Sequence, residues 1–267
     1  MKINDVCSSI AELYERTKAD LVVIAVPELS ARAVGEACFA YPWSVLMEKP
    51  AGYNLADAEA IAAAANAKKR RVWVGLNRRF LLSTRAVLAD LEQTSGPRFI
   101  HVQDQQNLAA AAAIGHPPEV VANWMFANSI HAIDYLSFFG RGAARNVNRV
   151  WPWAGEKSCV VLASIEFEKG DRGLYEGIWQ GPGPWAVTVT TAARRWELRP
   201  LEQAAFQNAG ERRLNQMEVH AWDREFKPGF RLQAQAVVDA LQGKTSSAVT
   251  LDESLRTMRL IAEIFKM

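Results

Sequence analysis

Three short apolar runs dominate the first third of the chain, and each stops at a polar or turn-forming signature. Leu21-Val22-Val23-Ile24-Ala25-Val26 stops at Pro27, and Ser44-Val45-Leu46-Met47 stops at Glu48-Lys49-Pro50. Val72-Trp73-Val74-Gly75 runs into Asn77-Arg78-Arg79-Phe80. Helical stretches over residues 31–40 and 56–69 separate these runs, the second alanine-rich with Ile61 as its apolar anchor. Nearly all-apolar strands alternating with helices predict a parallel sheet covered on both faces. A further helix over residues 8–17 precedes them, with Ser8 or Ser9 as N-cap. In such open sheets ligands bind at the carboxyl ends of the strands, where Pro27, Lys49 and Arg79 fall.

The pattern changes beyond residue 96. A helix over residues 83–93 leads through Ser95-Gly96 to an alternating strand at 98–103. A polar loop with an alanine run at 109–113 and the breakers Gly115 and Pro117-Pro118 comes next. Residues 124–139 read as a helix ended by Gly140. Strand patterns follow at 159–167, 173–180, 186–191 and 195–199, with turns at Lys169-Gly170-Asp171 and Gly181-Pro182-Gly183-Pro184. Helices at 230–241 and 251–265 close the chain, the second begun at Thr250 or Asp252. The expected fold is α/β: a partial Rossmann domain over residues 1–95, then an α+β domain over 96–267 with an open, mainly antiparallel sheet.

Composition narrows the function classes. A chain of 267 residues with 49% hydrophobic content can build proper cores. Its formal net charge of +2 gives no basis for a nucleic-acid partner. The one basic run, Lys68-Lys69-Arg70-Arg71, reads as the cationic end of a helix. No apolar stretch approaches the ~20 residues of a membrane span. Cys7, Cys38 and Cys159 are odd in number and show no metal spacing, which suits a reducing cytoplasm and gives no metal site.

Several residues are candidates for chemistry. Lys49 places an ammonium at a strand end beside Glu48, where it can give a proton to a carbonyl oxygen or take one from an alcohol. The alternative is a solvated lysine pairing Glu48. His131 and Asp134, three apart on a helix, share a face and can hydrogen-bond, either as a satisfied pair or as part of a site. Asn77 and Arg79 could bind a substrate hydroxyl or carboxylate, with an ion pair as the competing use of Arg79. Aromatics on the later strands, Trp151, Trp153, Trp179, Trp185 and Trp196, read first as packing or a subunit interface.

The succession VVIAVP, VLMEKPAG, VWVGLNRRF and NSIHAIDYL resembles the Gfo/Idh/MocA family of NAD(P)-dependent oxidoreductases, which includes glucose-fructose oxidoreductase and inositol dehydrogenase. The similarity continues to the GFRLQAQAVVDAL and TLDESLRTMRLIAEIF segments. It implies hydride transfer between NAD or NADP and a sugar- or cyclitol-like alcohol. Lys49 is then the proton-transfer residue, with His131 and Asp134 assisting. Val26, Pro27, Glu48 and Lys49 would face the cofactor, and Asn77, Arg79 and Asn128 the substrate. The family also implies a homodimer formed through the open sheet.

Three features depart from the family pattern. The strand, glycine-rich turn, helix and strand that hold the pyrophosphate are expected ahead of residue 8, and the sequence does not contain them, which predicts an N-terminally truncated Rossmann domain. Gly140-Arg141-Gly142-Ala143-Ala144-Arg145 follows a helix rather than a strand and is no substitute. Ala127 stands where the family has an aspartate, four residues before the histidine, and Val121-Ala122-Asn123-Trp124 replaces a glycine-rich approach. Two readings follow: an impaired or incomplete oxidoreductase, in which the chain alone binds a dinucleotide weakly or not at all, or a non-catalytic protein that keeps the substrate cleft and oligomer surface. The 21–26 strand should be a bare edge, covered by residues 1–6 or by a neighbour.

Overall fold

The apolar runs form parallel strands in a computed structural model that describes residues 6–267. The chain separates into two units, Met1–Gly75 with Ala236–Leu255, and Leu76–Gln235 with Arg256–Met267. The first break thus follows Gly75, at the end of a strand, whereas the sequence pattern sets it at 95/96.

In the first unit α1 (Ile10–Arg16) opens at Ser9, whose hydroxyl accepts from the Glu12 backbone N–H, satisfying a first-turn donor. Then come β1 (Leu21–Ile24), α2 (Ala31–Phe39), β2 (Ser44–Glu48), α3 (Leu55–Ala67) and β3 (Val72–Gly75). The strands are parallel in the order β1-β2-β3, with Val23 beside Leu46 and Met47 beside Val74. Val45 and Met47 on the central strand are fully buried, as a strand flanked by helices requires. Ile61 is also fully buried, and such burial contributes about 1.5–3 kcal/mol.

The two edges of this sheet differ. Beyond β3, Val74 N–H donates to the Val249 carbonyl at 2.9 Å and Trp73 bridges Thr250. β1 has β2 as its one sheet neighbour among the described residues, and Val23 is 59% exposed. The expected cover from residues 1–6 lies, but for Val6, outside the described residues. The basic run ends α3: Lys69 takes a left-handed φ of 53°, and Arg70 Nε donates to the Phe39 carbonyl at the end of α2.

The second unit opens with α4 (Leu82–Glu92) and β4 (Phe99–Gln105). The alanine run expected as loop is instead a helix, α5 (Leu108–Ala113), because Asn107 Oδ1 accepts from the Ala110 N–H and closes its first turn. α6 (Pro118–Ala122), a single wide π-turn at Met125–Ser129, and α7 (Ile130–Phe139) follow. Then come β5 (Ala144–Trp151), β6 (Val160–Phe167), β7 (Arg172–Ile178), β8 (Trp185–Thr190), β9 (Arg194–Leu198), β10 (Ala204–Asn208) and β11 (Asn215–Gln216). The short α8 (Ala221–Glu225) precedes the closing helices α9 (Phe230–Leu241) and α10 (Leu251–Phe265).

These strands form one sheet in the order β11-β10-β9-β8-β4-β7-β6-β5. β4 lies between β7 and β8, parallel to the first and antiparallel to the second. The Gly181–Pro184 turn therefore does not close a hairpin, since its two strands are not neighbours. One face of β4, Ile100, Val102 and Asp104, is buried, while His101 and Gln103 on the other are half-exposed.

Two charged residues tie the layers of this unit. Arg98 donates to the Leu91 and Phe139 carbonyls near the ends of α4 and α7, where unsatisfied acceptors and the helix dipole favour a cation. Asp171, fully buried in the Lys169-Gly170-Asp171 turn, accepts from the Arg98 and Arg141 backbone N–H groups and from the Arg141 guanidinium. Burial acts to raise its carboxyl pKa, but these donors win and hold it below the usual carboxylate value.

Candidate functional site

The first unit presents two adjacent strand ends. β1 stops before Ala25-Val26-Pro27, and β2, paired with it in parallel, stops at Glu48 before Lys49 and Pro50. Glu48 Oε2 accepts from the Lys49 backbone N–H at 3.0 Å, and the Lys49 side chain is half-buried. Gly52 fixes the next turn. Its φ is +107°, and a Cβ there would lie 2.4 Å from the Ala58 backbone nitrogen, so only glycine fits against the start of α3.

The family's dinucleotide needs a helix N-terminus with free N–H groups for its pyrophosphate. α3, which follows β2, does not offer one. α2, which follows β1, has no side-chain cap at Ser30 and carries Arg32, paired with Glu36, in its first turn, behind a 3-10 turn opened by Glu28. At α3, Asn54 Oδ1 already accepts from the Asp57 N–H, and Asp57 places a carboxylate in the first turn. A carboxylate at that helix start disfavours a diphosphate. Val26, Pro27, Glu48 and Lys49 occupy the strand ends, and among the described residues no glycine-rich turn stands there for the pyrophosphate.

In the second unit α7 carries His131 and Asp134. Asp134 is 2% exposed and its carboxylate is committed to Arg79: Nε reaches Oδ2 and Nη2 reaches Oδ1, each at 2.7 Å. Thr257 Oγ1 adds a third donor at 2.8 Å. Arg79 is itself buried and packs over the Phe138 ring. Asn77, also buried, donates to the Pro228 carbonyl at 3.1 Å. Fold-holding contacts thus engage both of these sequence candidates for substrate binding. His131 is half-buried, with its ring 6.2 Å from that of Trp185.

Trp185 forms one wall of a cleft of about 340 Å³ whose other walls include Trp124, Gln106 and Asn128. A hydrogen-bonded chain runs beneath it. Tyr175 hydroxyl donates to Asp104 Oδ2 at 2.9 Å, and Gln106 Nε2 donates to Asp104 Oδ1 at 2.5 Å. Gln106 Oε1 in turn accepts from Trp124 Nε1 at 2.8 Å and from Asn128 Nδ2 at 2.9 Å. Burial pushes the Asp104 carboxyl up to about 6, against the pull of its donors. The Tyr175 phenol is raised by burial and by the neighbouring carboxylate, which keeps it a donor.

Asn128 is the one residue of this chain that the sequence pattern singled out. Asp104, Gln106 and Trp124 were missed, although a signal exists. Ile100, Val102 and Asp104 share one phase of a strand alternation, and a carboxylate in the apolar phase marks a buried polar network. The expected strand stopped at residue 103, one short of it. Trp185, read as packing, lines the cleft, while Trp179 and Trp196 are buried in the core.

Residues 2–76 match the family profile described as an oxidoreductase family with an NAD-binding Rossmann fold. No curated protein matches the chain in sequence. Among solved structures, a dehydrogenase from Chromobacterium violaceum superposes with a TM-score of 0.80 at 19% identity, over 96% of this chain and 78% of that one. UDP-N-acetylglucosamine 3-dehydrogenase GnnA from Acidithiobacillus ferrooxidans gives 0.76 at 13% identity, over 97% and 81%. The WlbA dehydrogenase from Bordetella pertussis, in complex with NADH and UDP-GlcNAcA, gives 0.74 at 17%, over 97% and 80%. At these identities the likeness shows a shared fold.

Proposed function

We propose that the chain is a Gfo/Idh/MocA-type oxidoreductase, on the match of residues 2–76 to that family's profile, that its second unit binds a sugar-like molecule in the cleft at Trp185, and that Lys49 is its proton-transfer residue. The cleft carries this reading. Indole faces at Trp124 and Trp185 suit the C–H face of a sugar ring, and the amides of Gln106 and Asn128 suit its hydroxyl edge. Two neighbours of the same fold are named for nucleotide sugars or bound to one.

Hydride exchange with NAD or NADP is the family's chemistry. The described residues hold no glycine-rich pyrophosphate cradle, so no hydride step is assigned to them. Lys49 Nζ holds or releases the proton on the oxygen of the reacting carbon. His131 assists from α7, while Asp134 and Arg79 position that helix through their ion pair. The second reading is a binding protein without turnover. Ala127, in place of the family's carboxylate, and the commitment of Asp134 to Arg79 favour it.

Turnover separates the two. The purified chain is offered UDP-N-acetylglucosamine, aldoses and cyclitols with millimolar NAD⁺ or NADP⁺, and reduced nicotinamide is followed. Measurable turnover that falls by about 10² to 10⁴ in Lys49→Ala, and less in His131→Ala, supports the oxidoreductase. Sugar binding with no turnover supports the binding protein. The half-exposed face of the large sheet, where His101 Nε2 and Glu176 Oε2 meet at 2.9 Å, is our assignment for self-association as a homodimer. A monomer at every concentration in light scattering would refute it.

A further inference from the structure

A second cavity, of about 350 Å³, lies in the second unit between α4, the residues that join β9 to β10, and the segment that leads into α8. Its size falls in the range of small-ligand sites, roughly 300–1,000 Å³. The inward face of α4 carries Thr84, Val87 and Leu91. Arg85 falls beside that face, and its half-buried side chain lines the cavity. Among the described residues its guanidinium has no hydrogen-bond acceptor and no ion-pair partner. The arginines near it in sequence are all engaged: Arg78 with Glu202, Arg79 with Asp134, and Arg98 with two backbone carbonyls. Burial draws the Arg85 pKa down, and Glu92, two turns along the helix, offsets this only in part.

The other walls decide what kind of anion fits. Leu82, Ala86, Ala204, Met217 and Val219 are apolar. Ser83 already gives its hydroxyl hydrogen to the Leu201 carbonyl at 2.7 Å. His220 accepts from the Trp222 backbone N–H through Nδ1 at 3.2 Å, so the neutral ring keeps its proton on Nε2 as a donor. The start of α4 is closed by Asp223, which accepts from the Leu82 N–H at 2.8 Å, and that leaves Arg85 as the anion partner. Glu202, held by Arg78, and the exposed Glu218 put negative charge on the same cavity. That charge disfavours a multiply charged head such as phosphate and tolerates a single carboxylate.

We propose that this cavity is a second small-molecule site, for a compact organic acid with one carboxylate and an apolar body, and that Arg85 is the residue that binds the carboxylate. A planar guanidinium meets a carboxylate through two parallel N–H···O bonds, which a lysine cannot reproduce. The ligand's apolar body would cover the five apolar side chains and take them out of water. The site shares no lining residue with the cleft at Trp185, so it does not depend on the sugar reading.

Ligand-observed NMR titration of the full chain with hexanoate, hexanamide and inorganic phosphate tests this. Hexanoate and its amide have the same body and differ in charge, and hexanoate should bind about tenfold tighter or more. Arg85→Gln should bring hexanoate down to the level of the amide. Arg85→Lys, which keeps the charge but not the fork, should fall between the two. Circular dichroism checks the fold of each variant, and the comparison of the two ligands on the unaltered chain needs no variant. Hexanoate that binds no tighter than its amide, or as tightly to Arg85→Gln as to the unaltered chain, overturns the site. Phosphate that binds more tightly than hexanoate, and loses that binding in Arg85→Gln, overturns the carboxylate as its ligand.

Discussion

Arg79 and Asp134 meet through two parallel hydrogen bonds of 2.7 Å in the interior of the second unit, joining the segment after Leu76 to α7. Removing one member of a buried pair leaves the other's charge uncompensated, at a cost of about 3–5 kcal/mol. Asp134→Asn should therefore lower unfolding stability by that order in urea titration. Replacing both residues together by apolar ones of similar size should cost much less. A change below about 1 kcal/mol for the single variant would mean that the pair is solvated.

Gly229 gives a second test. Its φ is +79°, and a Cβ there would lie 2.3 Å from the Asn77 carbonyl oxygen. Its N–H donates to Asp223 at 2.9 Å, and Asp223 also accepts from the Leu82 N–H at the start of α4. Gly229→Ala combines a left-handed backbone penalty of about 1–2 kcal/mol with overpacking of about 1–3 kcal/mol. A loss of roughly 2–5 kcal/mol is expected in thermal and chemical denaturation. An unchanged midpoint would show that the 228–230 turn can move away from Asn77.

The pH dependence of Asp104 runs opposite to that of an ion-paired carboxylate. Its folded pKa is raised to about 6 from the ordinary 3.8, so between these values the folded chain holds a proton that the unfolded chain has released. The group's contribution is most favourable below 3.8 and is lost as pH rises through about 6. Stability of the unaltered chain relative to Asp104→Asn should fall by about 1–3 kcal/mol between pH 4 and pH 7. A difference that grows with pH instead would mean that hydrogen bonds outweigh burial.

Much of the fold is legible where burial imposes a period. β3 and both closing helices, α9 and α10, fall at the expected residues, since each carries a clear apolar pattern. β5 was missed because Arg145, Asn146, Asn148 and Arg149 put polar residues in both phases, as an edge strand allows. The parallel pairing of β4 with β7 joins residues some seventy apart in sequence, such as Gln103 and Glu176, and no local pattern encodes it. The π-turn at Met125–Ser129 shifts the helical phase ahead of α7, which a fixed 3.6 period cannot anticipate. At the site, the Glu48-Lys49-Pro50 signature was visible and the Asp104–Gln106 network was not. Its members belong to a strand end, a turn and a distant strand, and folding alone brings them together.

The most direct test of the account is calorimetric titration of the purified chain with NADH and NADPH. Asp57 stands in the first turn of the helix behind β2, and among the described residues no glycine-rich turn follows a strand of the first unit. Around three charge-assisted hydrogen bonds to the pyrophosphate are therefore missing, at about 1.5–3 kcal/mol each. Their loss carries a micromolar site, near −8 kcal/mol, to about millimolar or weaker. Dissociation constants in or beyond the millimolar range are the predicted result; a value near ten micromolar or tighter for either dinucleotide would contradict it.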